Sequence, residues 1–581
     1  MAAVQSSLRS PIQAGQALPE AMRAFAVRGV ALDPALLGAL AVGLAFCLYG
    51  IHWGVAEPWN PDQMAYYDAL AGDGRLNLHP GDFLKPPFHK YLSLALARLP
   101  AYAVSELLGV SEITSQKLTL IWARMLTVVL FLLQIGLVYA ITRRFFGLFA
   151  ARILALVYGT SAGIIAFSHF LTADIPLTTW MLAAFYFAQN VLLRGRLLDY
   201  VLAGALTGIA AATKYNGLAI GITLVMAHAL TIDLRSWARG ALDARLLLGI
   251  AAVPLAFVIG NPFSILDARA FMSDFMYNLI TTPVYGGESG GNNYLEYWWH
   301  LSEVIGWPAF FLLVAAVIGG IWSIISRDCP DRLERQGILL LLSISLPYYA
   351  YFGSLARLET RFVLPVVPYL MMLAGPACAR LRTRPGMVAA VLGLLLLYNA
   401  ASSALVGWRF ANDPRMALRA WLREQTFPGA VVEYSPYAPR PDLIEGAAVT
   451  AVRMPFDSGR RQAFGDMFPD NDWVRESLDR FERSGGEWYC PDALARRAPD
   501  FVVIDSLYFD RFLERRAVGA SECDIGQFFR DLLEERLGYR IMFDGTSQDV
   551  PIWAYPRDID FLHNRIVVLE RAREAQQPGT D

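Results

Sequence analysis

Residues 118–141 read LTLIWARMLTVVLFLLQIGLVYAI, and this stretch decides the class of fold. It exceeds the roughly 20 residues that an α-helix needs to cross the hydrocarbon core of a bilayer. Arg124 is its single charged residue. A run this long and this apolar predicts a transmembrane helix.

The composition of the whole chain agrees with a membrane protein. Of its 581 residues, 55% are hydrophobic, 12% are aromatic and 18% are charged, whereas an average soluble domain has about 25% charged residues. The net charge of -2 provides no overall basic field that would attract nucleic acid. We therefore expect the lipid bilayer, and not a nucleic acid, as the main surroundings of the protein.

Further apolar runs predict a polytopic α-helical protein. The stretch 199–232 is too long for one crossing at about 1.5 Å per residue, and Lys214 to Gly217 interrupt it, so we expect two short helices there. With these two, about eleven transmembrane helices are predicted. The other runs lie at 33–55, 118–141, 148–167, 177–193, 246–262, 304–325, 336–352, 362–379 and 386–406.

The stretch 90–110 is also apolar, but the charges of the loops argue against a crossing there. If it does not cross, the arginine-rich loops lie on the same side as the N-terminus, which the positive-inside rule makes cytoplasmic. We therefore predict an interfacial helix at 86–110. The arginine-rich loops contain Arg143, Arg144, Arg194, Arg196, residues 233–245, Arg327, Arg332, Arg335, Arg380, Arg382 and Arg384.

The chain changes character after residue 408. From 409 to 581 it is charged and interrupted by turn residues, with candidate strands at 430–434, 501–505 and 551–555. We predict three parts: a cytoplasmic segment 1–32, a transmembrane domain 33–408 with its first outer loop at 56–117, and an extracytoplasmic α/β or α+β domain 409–581. Within the last, Cys490 and Cys523 either form a disulfide or remain a pair of buried thiols.

The first outer loop carries the carboxylate that we consider the best candidate base. Asp62 follows Trp59, Asn60 and Pro61 at the end of the first span, where a carboxylate can accept the proton of an approaching hydroxyl. The other aspartates of this loop are expected to be solvated. Tyr66 in the same loop is a candidate substrate-binding residue.

Two cations lie in or beside outer turns. Lys85 precedes Pro86 and Pro87, which stiffen the backbone around it, so Lys85 either binds a phosphate or extends to the lipid headgroups as interfacial lysines do. Lys214 lies in the string ATKYNG, at the tip of a helical hairpin. An ammonium group there requires an anion or water.

The remaining outer turns add an acid, a histidine and two arginines. Asp174 either caps a helix or takes part in a site. His169 is a base, a ligand or a hydrogen-bonded residue at the rim of the helices. Arg357 either forms a surface pair with Glu359 or binds substrate, and Arg361 is the better candidate for phosphate. Lys85, Lys214 and Arg361 together suit a lipid phosphate.

In order along the chain, these strings resemble the motifs of the GT-C glycosyltransferases, specifically the group of protein O-mannosyltransferases and lipid A aminoarabinose transferases. The resemblance extends from about residue 33 to 408. The strings are Asp62-Gln63, Lys85-Pro86-Pro87, Ala123-Arg124, Asp174-Ile175-Pro176-Leu177, Ala212-Thr213-Lys214-Tyr215, and Arg361-Phe362 followed by Pro365.

The resemblance implies a glycosyltransferase that uses a polyprenyl-phosphate sugar on the extracytoplasmic side of the plasma membrane. It implies that Asp62 is the catalytic base, that Asp174 supports the acceptor or the geometry of the site, and that Lys85, Lys214 and Arg361 hold the donor phosphate. The family usually has Asp-Glu where this chain has Asp62 and Gln63. We therefore expect no obligatory metal and no other cofactor.

Two other functions remain open. A transporter or flippase of a lipid-linked or anionic substrate would also have many spans, but it usually carries ionisable groups near the middle of the membrane. A non-catalytic assembly subunit is compatible with Gln63. The sequence leaves open the sugar, and also whether the acceptor is a glycolipid, a protein or a polysaccharide.

Overall fold

The structure is a computed structural model that describes residues 33–55, 59–60, 76–232, 243–283, 293–325, 331–444, 446–456, 465–479, 487–513, 523–546, 562 and 564–572. Asp62 and Tyr66 lie outside these ranges, as do the segment 1–32 and the predicted strand 551–555.

Helices make up the first two thirds of the chain. They are α1 (Pro34–Leu48), α2 (Phe88–Ser93), α3 (Leu99–Leu108), α4 (Glu112–Gly159), α5 (Ala162–Ser168), α6 (Asp174–Arg194), α7 (Leu197–Thr213), α8 (Gly221–Ala229), α9 (Ala244–Gly260), α10 (Phe263–Leu266), α11 (Ala268–Thr281), α12 (Asn293–Ile305), α13 (Trp307–Ile325), α14 (Arg332–Gly353), α15 (Thr360–Val363), α16 (Val367–Met372), α17 (Gly375–Arg380) and α18 (Pro385–Ala411).

Two helical stretches, Thr114–Gly159 and Gly386–Gln425, are long and apolar enough to cross a membrane by themselves. Shorter apolar helices occur in five further places, at Pro34–Leu48, Leu197–Thr213, Tyr215–Ala229, Ala244–Gly260 and Trp307–Trp322. Each falls on a predicted run. The total of eleven spans stays a prediction.

Gly147 divides the long helix α4 into two. Its φ of 88° and ψ of 174° are not helical, and glycine adopts such a conformation without a steric penalty because it has no Cβ. The break falls between the predicted runs 118–141 and 148–167. The sequence thus separated the two runs correctly, although the backbone turns between them at a single residue.

Small residues bring α7 and α9 into close contact. A Cβ added to Gly204 would lie 1.8 Å from the carbonyl oxygen of Gly249, and one added to Gly208 would lie 2.2 Å from that of Val253. Such small residues, four apart, are a common basis of helix packing in membranes because they let two backbones approach. This packing fixes the end of α7, where Lys214 follows Thr213 in extended conformation.

The stretch 86–110 is helical, as predicted, and has one buried and one exposed face. It comprises α2, a π-helical turn at Leu94–Arg98, and α3. Ala97 packs with Leu120 and Ala123 of α4, whereas Leu107 is 84% exposed. These two faces suit an interfacial helix, and the absence of a crossing stays a prediction.

The predicted run 362–379 is not one regular helix. It consists of α15, α16 and α17 separated by turns. Pro365, Pro368 and Pro376 interrupt it, because proline lacks the N–H group that would continue the hydrogen bonding of a helix.

The C-terminal domain is a mixed sheet covered by helices on both faces. Its elements are α19 (Pro414–Gln425), β1 (Val431–Tyr434), β2 (Thr450–Arg453), α20 (Asp472–Asp479), α21 (Pro491–Arg497), β3 (Phe501–Asp505), α22 (Ser506–Leu513), α23 (Ile525–Leu533), β4 (Tyr539–Thr546) and β5 (Arg565–Arg571). The strand order is β2-β1-β3-β5-β4. β1 pairs in parallel with β2 and β3, whereas β5 runs antiparallel to β3 and β4.

Alternate residues of the central strand face the two halves of the core. In β3, Val502 and Ile504 pack against the aromatic side of α22 and α23, and Val503 faces Leu418 and Leu422 of α19. β1 and β3 coincide with two predicted strands, and β2, β4 and β5 were not predicted. Cys490 and Cys523 form a disulfide, which is one of the two alternatives that the sequence left open.

Candidate active site

Asp174 and Lys214 form a largely buried ion pair. The Nζ atom of Lys214 donates to Oδ1 of Asp174 over 2.8 Å, and the Asp174 side chain is only 4% exposed. Asp174 is the first residue of α6, directly after the N-cap residue Ala173. The ion pair is compatible with a place in a site, and the carboxylate also lies at the start of a helix, so both interpretations of Asp174 stay predictions.

Lys85, in the segment before α2, lies close to this pair. Burial lowers the pKa of its ammonium group, an effect opposed by the negative charges of Asp174, Asp82 and Glu359 and increased by the positive charge of Arg357. An additional anion beside Lys85 would favour its charged form further. Lys85 thus lies close to several charged side chains, and its role as a phosphate ligand stays a prediction.

The turn before α15 is held by one face of α12. The amide of Asn293 donates to the carbonyl oxygens of Leu355 and Ala356. One and two turns further along the helix, Tyr297 donates to the carbonyl of Arg357 and His300 bonds the hydroxyl of Thr360. The three side chains repeat at helical spacing, so the turn before α15 has a fixed position relative to α12.

Three cations surround the ring of Phe362. The Nζ atom of Lys214 and the Cζ atoms of Arg357 and Arg361 lie 5.4, 5.5 and 5.9 Å from its centroid. Glu359 forms ion pairs with both arginines. The face of an aromatic ring attracts cations, and Phe362 thereby helps to keep three like charges together.

The resulting cluster, which we name the cation cluster, contains Lys85, Lys214, Arg357 and Arg361 with the ring of Phe362. It brings together all three residues that the sequence predicted for phosphate, and adds Arg357. Its carboxylates are those of Asp174, Glu359 and Asp82. Arginine and lysine side chains arranged in this way suit a phosphate group.

His169 lies apart from these side chains and is fully buried. Its Nδ1 atom is 2.8 Å from the carbonyl oxygen of Ile165, and its Nε2 atom is 2.9 Å from that of Tyr49. The imidazole stacks on Phe410 with 4.2 Å between the ring centroids. The structure thus gives His169 the hydrogen-bonded arrangement that was one of its three interpretations, and does not bring it to the cation cluster.

The end of the first span is held by residues that have no place in our sequence predictions for the site. Arg124 is buried and donates to the carbonyls of Ile51, at 2.8 Å, and of Trp53. From the C-terminal domain, Asp413 accepts the indole N–H of Trp53 at 2.7 Å and pairs with Arg415. Arg415 also lies 4.8 Å from the ring centroid of Trp59.

These contacts fix the chain up to Trp59 and Asn60, both nearly fully buried. Asp62 and Tyr66 lie just beyond, outside the described residues. Arg124 was visible as the single charge in residues 118–141. Asp413 and Arg415 carried no comparable signal, because their partners are more than 350 positions away.

No group of three His, Cys, Asp or Glu side chains that could hold a metal occurs in the part of the chain that the structure describes. Asp62 and Gln63 lie beyond that part. The expectation that the protein needs no metal therefore stays a prediction.

The chain is similar to known proteins in part of its sequence and in its fold. Residues 110–260, which contain Asp174 and Lys214, match the model of a family described as dolichyl-phosphate-mannose-protein mannosyltransferase. No curated protein sequence matches the chain significantly.

Among solved structures, ArnT from Cupriavidus metallidurans in the apo state is similar at 16% identity and a TM-score of 0.50, over 92% of this chain and 97% of that one. The same protein bound to undecaprenyl phosphate gives 16% identity and a TM-score of 0.49, over 93% and 98%. The apo oligosaccharyltransferase of Archaeoglobus fulgidus gives 14% and 0.46, over 88% and 80%.

The likeness to apo ArnT covers nearly the full length of both chains and shows a shared fold, that of an α-helical membrane protein with a C-terminal domain. The match to the mannosyltransferase family covers residues 110–260, and together with the shared fold it agrees with the resemblance to the GT-C group that the motifs indicate.

Proposed function

We propose that the protein transfers a sugar from a polyprenyl-phosphate donor to a hydroxyl acceptor at the extracytoplasmic face of the plasma membrane. The observation that carries this proposal is the cation cluster, in which Lys214, Arg357 and Arg361 surround one aromatic ring and Lys85 lies close by. The description of the matching family, which names a dolichyl-phosphate sugar, supports the same class of donor.

The cations act on the leaving group. As the acceptor oxygen forms its bond to the anomeric carbon, the bond between that carbon and the phosphate oxygen breaks, and the phosphate keeps the electron pair. The negative charge that develops on the phosphate is stabilised by cationic groups already in place, and such preorganised groups lower the barrier to reaction.

Asp62 is the proposed base. Its carboxylate would take the proton of the acceptor hydroxyl while that oxygen attacks the sugar, which leads to inversion at the anomeric carbon. Asp174 has a supporting role, since its carboxylate fixes the ammonium group of Lys214. We propose no obligatory metal, because Gln63 stands where the family usually has a second acid and the cation cluster can stabilise negative charge on the leaving phosphate.

Two observations support the proposed orientation in the membrane, with the N-terminus in the cytoplasm and the C-terminal domain outside. The disulfide between Cys490 and Cys523 suits an oxidising compartment, as expected for an exported C-terminal domain. The arginine-rich loops meet the positive-inside rule when the N-terminus is cytoplasmic and about eleven helices cross.

The test is to incubate membranes containing the protein with a panel of labelled polyprenyl-phosphate sugars and to follow the label into lipid, protein and glycan fractions. One donor should be consumed by the wild type, also in the presence of EDTA. Asp62→Asn should abolish transfer, and Arg361→Ala should raise the KM for the donor by about tenfold or more, the effect of losing one charge-assisted contact.

Arg380→Ala is the matched control, because Arg380 pairs with Glu334 at the surface, away from the cation cluster. It should leave transfer unchanged. Undiminished transfer by Asp62→Asn would show that the base is another residue. Movement of an intact labelled lipid across the membrane without transfer of its sugar would instead favour a flippase.

A further inference from the structure

We propose that Asp274 is a positioning residue for the donor phosphate, and that the C-terminal domain takes part in this site by holding its carboxylate. The inference rests on the proposed role of Lys85 as a phosphate ligand. It gives the C-terminal domain, through α20, a role in donor binding.

The carboxylate of Asp274 connects three parts of the chain. Asp274 lies on α11 and is only 1% exposed. Its Oδ2 atom accepts the backbone N–H of Phe83 at 2.8 Å, and its Oδ1 atom accepts the hydroxyl of Ser477 at 2.8 Å. Phe83 is two residues before Lys85, and Ser477 belongs to α20 of the C-terminal domain.

Two further hydrogen bonds hold the same short segment. The hydroxyl of Tyr215, which directly follows Lys214, donates to the carbonyl oxygen of Phe83 at 2.7 Å. The amide of Asn278, one turn after Asp274 on α11, donates to the carbonyl oxygen of Leu84 at 2.9 Å. The backbone before Lys85 is therefore fixed relative both to α11 and to the turn that carries Lys214.

The backbone after Lys85 is stiff as well. Pro86 and Pro87 each have a fixed φ, and α2 begins at Phe88. The two prolines restrict the rotations that could compensate for a displacement at Phe83 or Leu84, so we expect part of that displacement to reach Lys85.

The C-terminal domain keeps α11 in place through a packed contact. Tyr277 of α11 and Val474 of α20 are buried together, with Leu84 against them. The hydroxyl of Ser273 donates to the carbonyl of Trp473 at 3.2 Å, and Arg269 pairs with Glu476 at 2.9 Å. Ser477 thus reaches Asp274 from a surface that is already docked.

The experiment measures the Kd of undecaprenyl phosphate for the full-length protein in detergent by native mass spectrometry. Lys85→Ala and Asp274→Ala should each weaken binding by about tenfold, the effect of losing one hydrogen bond to a charged group. Asp274→Asn should restore most of the affinity, because its amide can accept from Phe83 and donate to Ser477. Ser477→Ala should weaken binding less than Asp274→Ala.

A double variant distinguishes positioning from a general structural effect. If Asp274 acts through Lys85, Asp274→Ala should change the Kd little when Lys85 is already alanine. The control is Arg269→Ala, which removes an exposed ion pair of the same contact and should leave the Kd unchanged.

The outcomes separate the two proposals. An unchanged Kd in Lys85→Ala would overturn the phosphate role of Lys85 and this inference with it. Weak binding by Lys85→Ala with normal binding by Asp274→Ala would overturn this inference alone. The inference would also be overturned if Asp274→Ala, Asp274→Asn and Arg269→Ala weakened the affinity equally, and if each effect added to that of Lys85→Ala. Such a result would indicate only a loosened contact between the domains.

Discussion

The ammonium group of Lys214 and the carboxylate of Asp174 are 40 positions apart in the sequence and 2.8 Å apart in the structure. Taken alone, neither residue indicates a site. An aspartate is common at the start of a helix, and a lysine is tolerated in a predicted outer turn. Burying a single charged side chain costs free energy, and the ion pair offsets this cost for both residues. The same ammonium group also lies 5.4 Å from the centroid of the Phe362 ring.

Loss of the lysine should therefore affect stability and donor binding separately. We expect Lys214→Ala to reduce the free energy of unfolding by about 3 kcal/mol, because it leaves the buried Asp174 carboxylate without its cation. Thermal unfolding in detergent measures this loss.

The double variant Lys214→Ala with Asp174→Asn is the control for that loss. It should recover most of the stability, since no buried charge remains unpaired, whereas the KM for the donor should stay raised in both variants. A double variant as unstable as Lys214→Ala would show that the charge of Asp174 is not the cause.

At the scale of elements, close packing of α7 against α9 determines where Lys214 lies. Gly204 and Gly208 of α7 directly face the backbone of α9, at Gly249 and Val253. While this packing persists, the turn that follows α7 cannot shift along the helix axis relative to α6. The position of Lys214 is thus set by residues that carry no charge.

We expect Gly204→Ala to destabilise the helical domain by about 1–3 kcal/mol, because overpacking against a backbone forces the helices apart. It should also weaken donor binding, since Lys214 moves with α7. Both effects are measurable by unfolding in detergent and by the Kd of undecaprenyl phosphate.

Gly136→Ala is the matched variant, because an added Cβ there meets nothing within 4 Å. An interior glycine replaced by alanine in an open helical position is expected to gain up to about 1 kcal/mol. If both variants behaved alike, the contact between α7 and α9 would not limit this region.

At the scale of the whole molecule, buried charges join the two domains. Asp505, at the end of β3, is fully buried and accepts a hydrogen bond from Asn564 at 2.8 Å. Burial raises the pKa of its carboxyl group to about 6, while the positive charge of Arg415 lowers that pKa. Arg415 and Asp413 in turn contact Trp53 and Trp59, which lie at the start of the predicted first outer loop.

This junction should make stability depend on pH. Because the folded pKa of Asp505 lies above its usual value, the folded state binds this proton more tightly than the unfolded state. The contribution is complete below about pH 4 and is lost as the pH rises through about 6, amounting to about 3 kcal/mol.

The thermal midpoint of the full-length protein, measured from pH 4 to 7, tests this expectation against Asp505→Asn, which does not titrate. The wild type should lose stability relative to the variant as the pH rises. Parallel curves for the two proteins would contradict a raised pKa at Asp505.

The sequence by itself determined the membrane class, most helical segments, the break within 199–232, two of the strands and the candidate phosphate ligands. Hydropathy and proline or glycine positions act locally, so their effects are readable along the chain. The order of the motifs added the GT-C resemblance. Residues such as Lys85 and Arg361 were identifiable because charge beside apolar runs is rare.

Only the tertiary structure decided which of these residues meet. The convergence of Lys214, Arg357 and Arg361 on Phe362 depends on how helices with small interfacial residues pack, and the burial of His169 depends on Phe410 from the last helix of its domain. Asp274 and Arg415 gain their roles from partners about 200 and 350 positions away. Contacts over such separations are fixed by packing energies of the whole fold, which no local pattern of residues encodes.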